Sequence, residues 1–346
     1  MPLQPPDLEE TACPLCESSQ TLSVLEAVDH FCDVPGTYHV HRCTDCGHLH
    51  MNPRPTADTL HRCYPDSYSP HQASLPTTSV TDANAAANRP WYLRYLPLRY
   101  IPGLRFLYHW LTDDFSQPFP TKPEANDQDQ RPRAFELGCS TGSYLARLTA
   151  AGWDAEGVEP SESASQKARA AGLTVHTGAL DNVTLPEESF DSAAAWMVIE
   201  HVFYPLTTLR QIHRLLKPGG TLLISIPNSG CWEPKIFRSA WYVWELPRHL
   251  QFFNPQSIRR VLEEAGFTNV GISHQRNVLN VIGSLGILLR RFSLTRGLGN
   301  RLLRYPDSPN MWVQLMLSPV ARLLSAIRQG GRLTIRAERL SQGERL

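Results

Sequence analysis

Between residues 134 and 275, short apolar runs alternate with segments of helical spacing, and this alternation leaves the chain few architectures. It predicts strands at 134–138, 155–159, 173–176, 190–197, 221–226 and 269–273, with a seventh at 333–337. Helices are expected at 141–151, 161–171, 205–216 and 255–265. In the first helix Tyr144, Leu145 and Leu148 share one face, and Gly152, Gly172 and Gly266 stand as stops after three of the four. Strands separated by helices cannot pair as hairpins. They form a mostly parallel sheet covered on both faces, so the class is α/β. Lys217, Pro218, Gly219 and Gly220 read as a turn before the fifth strand.

The first strand-to-helix joint is ELGCSTG, residues 136–142. Glycines at such a joint let a ligand approach the backbone, and the following helix offers free N–H groups. Glu159 ends the next strand, where a carboxylate can accept hydrogen bonds from the ribose hydroxyls of a nucleoside. The alternative is a tight turn that binds nothing. A dinucleotide site of the NAD type requires G-x-G-x-x-G, whereas Gly138 and Gly142 make G-x-x-x-G.

Upstream, Cys13, Cys16, Cys43 and Cys46 are spaced C-x2-C-x26-C-x2-C. Two C-x-x-C knuckles can close a tetrahedral Zn2+ site, and four thiolates leave no open position, so the ion is read as structural. The bland alternative is four free thiols. His30, His39, His41, His48 and His50 could substitute as ligands but are expected to line a surface. Cys32, Cys63, Cys139 and Cys231 lack paired spacing and are read as core or turn residues. Residues 1–10 are read as a loose tail, 71–90 and 117–132 as linkers, and 91–115 as helical.

Four strings (ELGCSTG, VEPSESA, FDSAAAWMVIEHV and LLKPGGTLLISIPN) together resemble class I S-adenosylmethionine (SAM)-dependent methyltransferases, in order and spacing, from about residue 134 to 275. The resemblance implies a Rossmann-like seven-stranded sheet with SAM as cofactor. Gly138 and Gly142 would flank its methionine portion, Glu136 would orient its amino group and Glu159 would hold its ribose. Ser140 stands where the family has a middle glycine. The adenine-contact position is often an acid; here Gly178, Ala179 and Leu180 occupy it, with Asp181 one step late. Residues 51–68, MNPRPTADTLHRCYPDSY, resemble a segment behind the knuckles of bacterial methyltransferases that include sugar C-methyltransferases acting on nucleotide-linked deoxysugars. This implies that Tyr64 and Tyr68 lie near the active site. The core also resembles ubiquinone-methyltransferase-like enzymes.

Methyl transfer requires an aligned acceptor and, for oxygen or carbon acceptors, removal of a proton. Glu200 and His201 follow the fourth strand, where loops of an open sheet face the ligand crevice. His201 is the candidate base and Glu200 its orienting partner; loop stabilisation is the alternative. His249 is the second candidate, in a loop where Trp241, Tyr242 and Trp244 could form an acceptor lid. Residues 195–198 do not spell the N/D-P-P-Y/F motif of amino-group methylation of bases.

From Arg276 to the end there are twelve arginines, no lysine and three acids, in a chain whose formal net charge is zero. Such asymmetry calls for a partner or a surface. The apolar segments at 278–289 and 311–327 suit helices that dock on a membrane or cover an amphiphilic substrate, or that pack on the core with solvated arginines. The N-terminus has no apolar signal region, and no apolar run approaches the roughly 18–20 residues that span a bilayer. The expected location is the cytoplasm, with peripheral contact at the inner membrane face left open.

The expected organisation is a zinc-ribbon-like module at 11–70, a linker and helical connector at 71–132, a SAM-binding core at 133–276, and a helical arginine-rich insertion with the last strand at 277–346. The expected function is methylation at oxygen or carbon of a small molecule: a sugar, or a lipid-linked or polysaccharide intermediate. The alternative is a ribosomal or transfer RNA methyltransferase using the zinc module and basic C-terminus for RNA binding; the arginine-rich region favours it, and the neutral whole favours the small molecule. A silent zinc-module scaffold is the third class.

Overall fold

The computed structural model describes residues 3–65, 68, 117, 118, 120 and 131–341. The expected helix at 91–115, the linker at 71–90 and most of 117–132 lie outside the described residues.

Seven strands form the central sheet: β6 (Arg133–Leu137), β7 (Asp154–Glu159), β8 (Thr174–Thr177), β9 (Phe190–Trp196), β10 (Leu216–Pro227), β12 (Phe267–His274) and β13 (Arg332–Arg339). Their order is β12-β13-β10-β9-β6-β7-β8. The run from β10 to β8 is parallel, and β13 lies antiparallel between β10 and β12. The expected seven-stranded α/β sheet is therefore present, and strand order reverses between β6 and β9. At such a switch point the crevice beyond the strand ends takes ligands.

Helices α1 (Ser143–Ala150), α2 (Glu162–Ala170), α3 (Pro205–Leu215), α4 (Glu233–Phe237) and α5 (Pro255–Glu264) intervene. The Ser161 hydroxyl caps α2 by accepting from the Ala164 N–H, and Asn254 and Ser257 form a capping box on α5. The buried apolar positions of α1, Tyr144, Leu145 and Leu148, are those its spacing predicts. The helix starts two residues later than expected because Gly142 sits at φ +87°, outside the helical region. The turn at 217–220 is absorbed into β10 as a register irregularity: Leu216 already pairs with Phe190, and pairing resumes at Thr221 with Ser192.

The N-terminal segment contributes β1 (Leu8–Glu9), β2 (Thr21–Ala27), β3 (Tyr38–Cys43), β4 (Leu49–Met51) and β5 (Arg54–Pro55). Its four-stranded sheet is completed from the other end of the chain by β11 (Gln251–Phe252), which pairs with β4. Cys13, Leu15 and Cys43 pack in the same apolar cluster as Ile199 and Phe253. Residues 1–10 are not all loose, since β1 pairs with β5 and Glu9 accepts from Arg54 at 2.9 Å. Nor do the histidines all line a surface. His48 and His50 are buried, because β4, which carries His50 and directly follows His48, is sandwiched between β3 and β11. Cys63, Cys139 and Cys231 are buried as expected.

A C-terminal cap of α6 (Leu279–Arg290), α7 (Arg296–Leu303) and α8 (Met311–Ala326) stands between β12 and β13, as the two apolar segments suggest. Among the described residues no helix is long and apolar enough to cross a membrane.

Candidate active site and thiol cluster

The glycine turn lies beyond the ends of β6 and β7. Gly138, Ser140 and Gly142 all have positive φ, at +67°, +48° and +87°. A Cβ on Gly138 would come within 2.5 Å of Val198, and one on Gly142 within 2.4 Å of Leu173, so both positions exclude side chains. Ser140 takes the left-handed conformation that a middle glycine would adopt at lower cost. Its N–H donates to Glu159 Oε2 at 2.8 Å, and the Ser161 N–H donates to Glu159 Oε1 at 2.8 Å. Burial raises the Glu159 carboxyl, opposed by these two N–H groups.

Glu136 is 3% exposed and its Oε2 is buried without a hydrogen-bond partner. Burial, reinforced by the charge of Glu159, holds its carboxyl well above the ordinary range. An unpartnered buried carboxylate oxygen beside a turn that tolerates no Cβ fits the ammonium end and close backbone approach of an amino-acid nucleoside such as SAM. Asp181 lies in a short 3-10 turn and accepts from the Gln211 side chain.

On the far side of the switch point, Met197 at φ +56° bends the chain out of β9, and Val198 lands on Gly138. Two residues on, Glu200 is fully buried and neither carboxylate oxygen has a partner; burial raises it to about 8. The His201 Nδ1 lies 3.1 Å from the Arg248 carbonyl and 3.1 Å from the Tyr64 hydroxyl. A carbonyl only accepts, so the neutral ring carries its proton on Nδ1 and keeps a lone pair on Nε2. Burial and the neighbouring His249 push His201 down to about 3, which keeps the ring neutral at physiological pH. The His249 ring stands edge-on to His201 at 4.6 Å, with its Nδ1 2.8 Å from the Val243 carbonyl. Burial lowers its pKa as well. Glu200, His201 and His249 each present one ligand-type atom within 4.8 Å of the other two. The structure thus gathers all three acceptor-side candidates, and Tyr64 with them.

Sequence reasoning missed what holds this cluster. Arg248 is fully buried and donates to both oxygens of Asp29, at 2.7 and 3.0 Å, and to the Cys63 carbonyl at 3.1 Å. Glu245 accepts from the Tyr68 hydroxyl at 3.0 Å and lies 3.5 Å from His249 Nε2. Burial works to raise Glu245, but His249 and Arg248 outweigh it. The signal available was the acid at 245 and the arginine at 248 beside His249. The partner Asp29 lies 219 positions away from Arg248 and has no local signal. The expected aromatic lid is a correction. Trp241 and Trp244 are buried in a second apolar core with Phe252 and Tyr38, and Tyr242 is half-buried, so this loop forms a wall.

The four knuckle cysteines converge. Cys13 and Cys46 Sγ are 3.5 Å apart, as are Cys16 and Cys43 Sγ, and all four lie within 4.8 Å of one another. Tetrahedral Zn–S bonds of about 2.3 Å place sulfurs roughly 3.8 Å apart, so the donors fit that ion. Backbone N–H groups of Leu15 and Cys16 face the Cys13 sulfur, and those of Asp45 and Cys46 face the Cys43 sulfur, which suits thiolates.

Residues 110–272 match a protein family described as a methyltransferase domain. A ubiquinone biosynthesis O-methyltransferase from Maricaulis maris is 30% identical over 158 residues, 41% of this chain and 62% of that protein. Another, from Cereibacter sphaeroides (strain ATCC 17025 / ATH 2.4.3), is 26% identical over 215 residues, 57% of this chain and 85% of that one. The chain spans less than two thirds of the length of the Maricaulis relative and of a second one from Dinoroseobacter shibae, 62% and 60%. A SAM-dependent methyltransferase of Thermotoga maritima, described as a possible histamine N-methyltransferase, aligns with 71% of this chain and 93% of its own at 19% identity, with a TM-score of 0.42.

Proposed function

We propose that the chain is a SAM-dependent methyltransferase acting on oxygen or carbon of a small-molecule acceptor. The observation that carries the reading is the contact of Val198 with Gly138. It brings the segment that leads into Glu200 and His201 against the glycine turn, which supports a crevice shared by a nucleoside-binding turn and a proton-accepting Glu200–His201–His249 cluster. The ubiquinone O-methyltransferase relatives support a small-molecule acceptor.

SAM supplies an electrophilic methyl group on a sulfonium. Glu136 would hold the ammonium of its methionine portion, the backbone at Gly138, Ser140 and Gly142 would allow its close approach, and Glu159 would accept from the ribose hydroxyls. His201 Nε2 takes the acceptor proton while the Arg248 carbonyl, accepting from Nδ1–H, holds the ring in that tautomer, with the Tyr64 hydroxyl against the same nitrogen. The imidazolium so formed is stabilised by Glu245 and, once ionised, by Glu200. Cys13, Cys16, Cys43 and Cys46 would hold a structural Zn2+, which would steady the sheet that β11 completes. The acceptor is a sugar or a lipid-linked or polysaccharide intermediate, and the enzyme works in the cytoplasm.

Calorimetric titration with SAM tests the reading. The wild type binds, and Glu159→Ala weakens binding about ten- to a hundredfold, the loss of on the order of 1.5–3 kcal/mol expected for hydrogen bonds to a carboxylate. Because Glu159 also accepts from Ser140, the variant's unfolding midpoint is measured alongside. A folded wild type that does not bind SAM overturns the proposal. Labelled SAM in cell extract then identifies the acceptor.

A further inference from the structure

The outward face of the C-terminal cap is not explained by methyl transfer. On α8 and its C-cap residue Ile327, the residues Trp312, Met316, Val320, Leu323 and Ile327 follow one another at steps of four, four, three and four, a single helical face. All five are exposed, Met316 at 79% and Leu323 at 61%. The opposite side anchors the helix: Ala321 is buried, and the Ser325 hydroxyl donates to the His274 carbonyl at 2.6 Å. Before α7, Phe292 and Leu294 are exposed as well, Leu294 at 95%. An apolar line of this length on a surface marks a docking site.

The charge of the same C-terminal segment decides what docks. Arg291, Arg296, Arg301 and Arg304, on and before α7, and Arg328, which directly follows the line, are exposed, and between residues 290 and 328 the sequence has seven arginines, no lysine and one acid, Asp307. Exposed large apolar side chains that include a tryptophan, in a segment whose cations are all guanidinium groups, match the boundary between acyl chains and anionic headgroups. RNA would take the arginines but leave the apolar line in water.

We propose that α7 and α8, with the turn before α7, dock this protein on an anionic bilayer. The link to the acceptor-side loop runs through α6, against which α7 packs: the Tyr242 N–H donates to Ser284 Oγ at 2.9 Å, and a Cβ on Gly283 would meet the Tyr242 ring. That loop continues to Glu245 and His249. Docking therefore sets the acceptor side of the crevice beside the bilayer and selects a lipid-borne acceptor, a consequence that rests on the methyltransferase reading; the docking does not.

The test is flotation of the full chain with vesicles of phosphatidylcholine alone, or of phosphatidylcholine mixed with phosphatidylglycerol. Wild-type protein is expected on the anionic vesicles only, less as salt rises. Each of Arg291, Arg296, Arg301 and Arg304 changed to Gln is expected to lower partitioning about fivefold at low salt. The combined Met316→Ser and Leu323→Ser variant loses binding that persists at physiological salt. The arginine variants, confined to exposed side chains, keep the test open if the serine variant does not fold. Failure to float with anionic vesicles at low salt, equal flotation with neutral ones, tighter binding to RNA at matched salt, or a dimer abolished by the serine variant would each overturn the docking proposal. SAM affinity, measured on the same samples, shows separately whether the methyltransferase reading stands.

Discussion

Arg248→Met removes the group that ties three distant parts of the chain together. Its guanidinium is buried with the Asp29 carboxylate, both side chains at 0% exposure, through two bonds of 2.7 and 3.0 Å. Removing one partner of a buried pair typically costs about 3–5 kcal/mol, because the other charge stays buried alone. Asp29 would keep the N–H groups of Phe31 and Val34 at 2.8 and 3.1 Å, which places the expected loss near the lower end, about 3 kcal/mol. That is a large part of the roughly 5–15 kcal/mol that holds a typical domain. Urea unfolding followed by tryptophan fluorescence measures it. Asp29→Asn is expected to cost a similar amount, and the double variant clearly less than the sum. Burial would raise the Asp29 carboxyl, but Arg248 holds it below its ordinary value. The pair's stabilisation is therefore present above the unfolded carboxylate range and lost as pH falls through the depressed value, and the Met variant lacks that acid limb. A loss under about 1 kcal/mol, or strict additivity in the double variant, would refute the reasoning.

Elemental analysis should find one zinc per chain, lost in Cys43→Ser. Because Cys43 packs with Ile199 and Phe253, the damage should extend beyond residues 11–50 to the acceptor-side loop; full zinc retention in a variant lacking Cys43 and Cys46 contradicts the four-thiolate site. His201→Ala should lower turnover about 100- to 10,000-fold with SAM affinity nearly unchanged, and wild-type turnover would move the base to His249. Glu200, raised to about 8, is protonated below that pH, so turnover should rise as pH passes through about 8 and the limb should vanish in Glu200→Gln. Over the window from the ordinary carboxylate range up to about 8, the folded state holds a proton that the unfolded state releases, so wild-type stability should fall with rising pH and the Gln variant should not share that slope.

Local signals reached far into this protein. Periodicity placed the six core strands and four helices, because burial against a sheet imposes spacing that needs no distant partner. The glycine turn was legible because its positive φ values demand small residues, and the thiol cluster because knuckle spacing is local. What folding alone decided were encounters between residues far apart in the chain. β11 is two residues that become a strand only because β4 lies beside them. His48 and His50 are polar in the sequence and buried in the fold for the same reason. Trp241 and Trp244 look like a lid in isolation, yet they form a wall once Tyr38 and Phe252 close around them. Glu200, His201 and His249 could each be nominated from their loops, but their convergence depends on Arg248 and Asp29, a pair 219 residues apart. A buried ion pair leaves no periodicity at either end, since the low-dielectric setting that makes it matter is created only when the chain has folded around it.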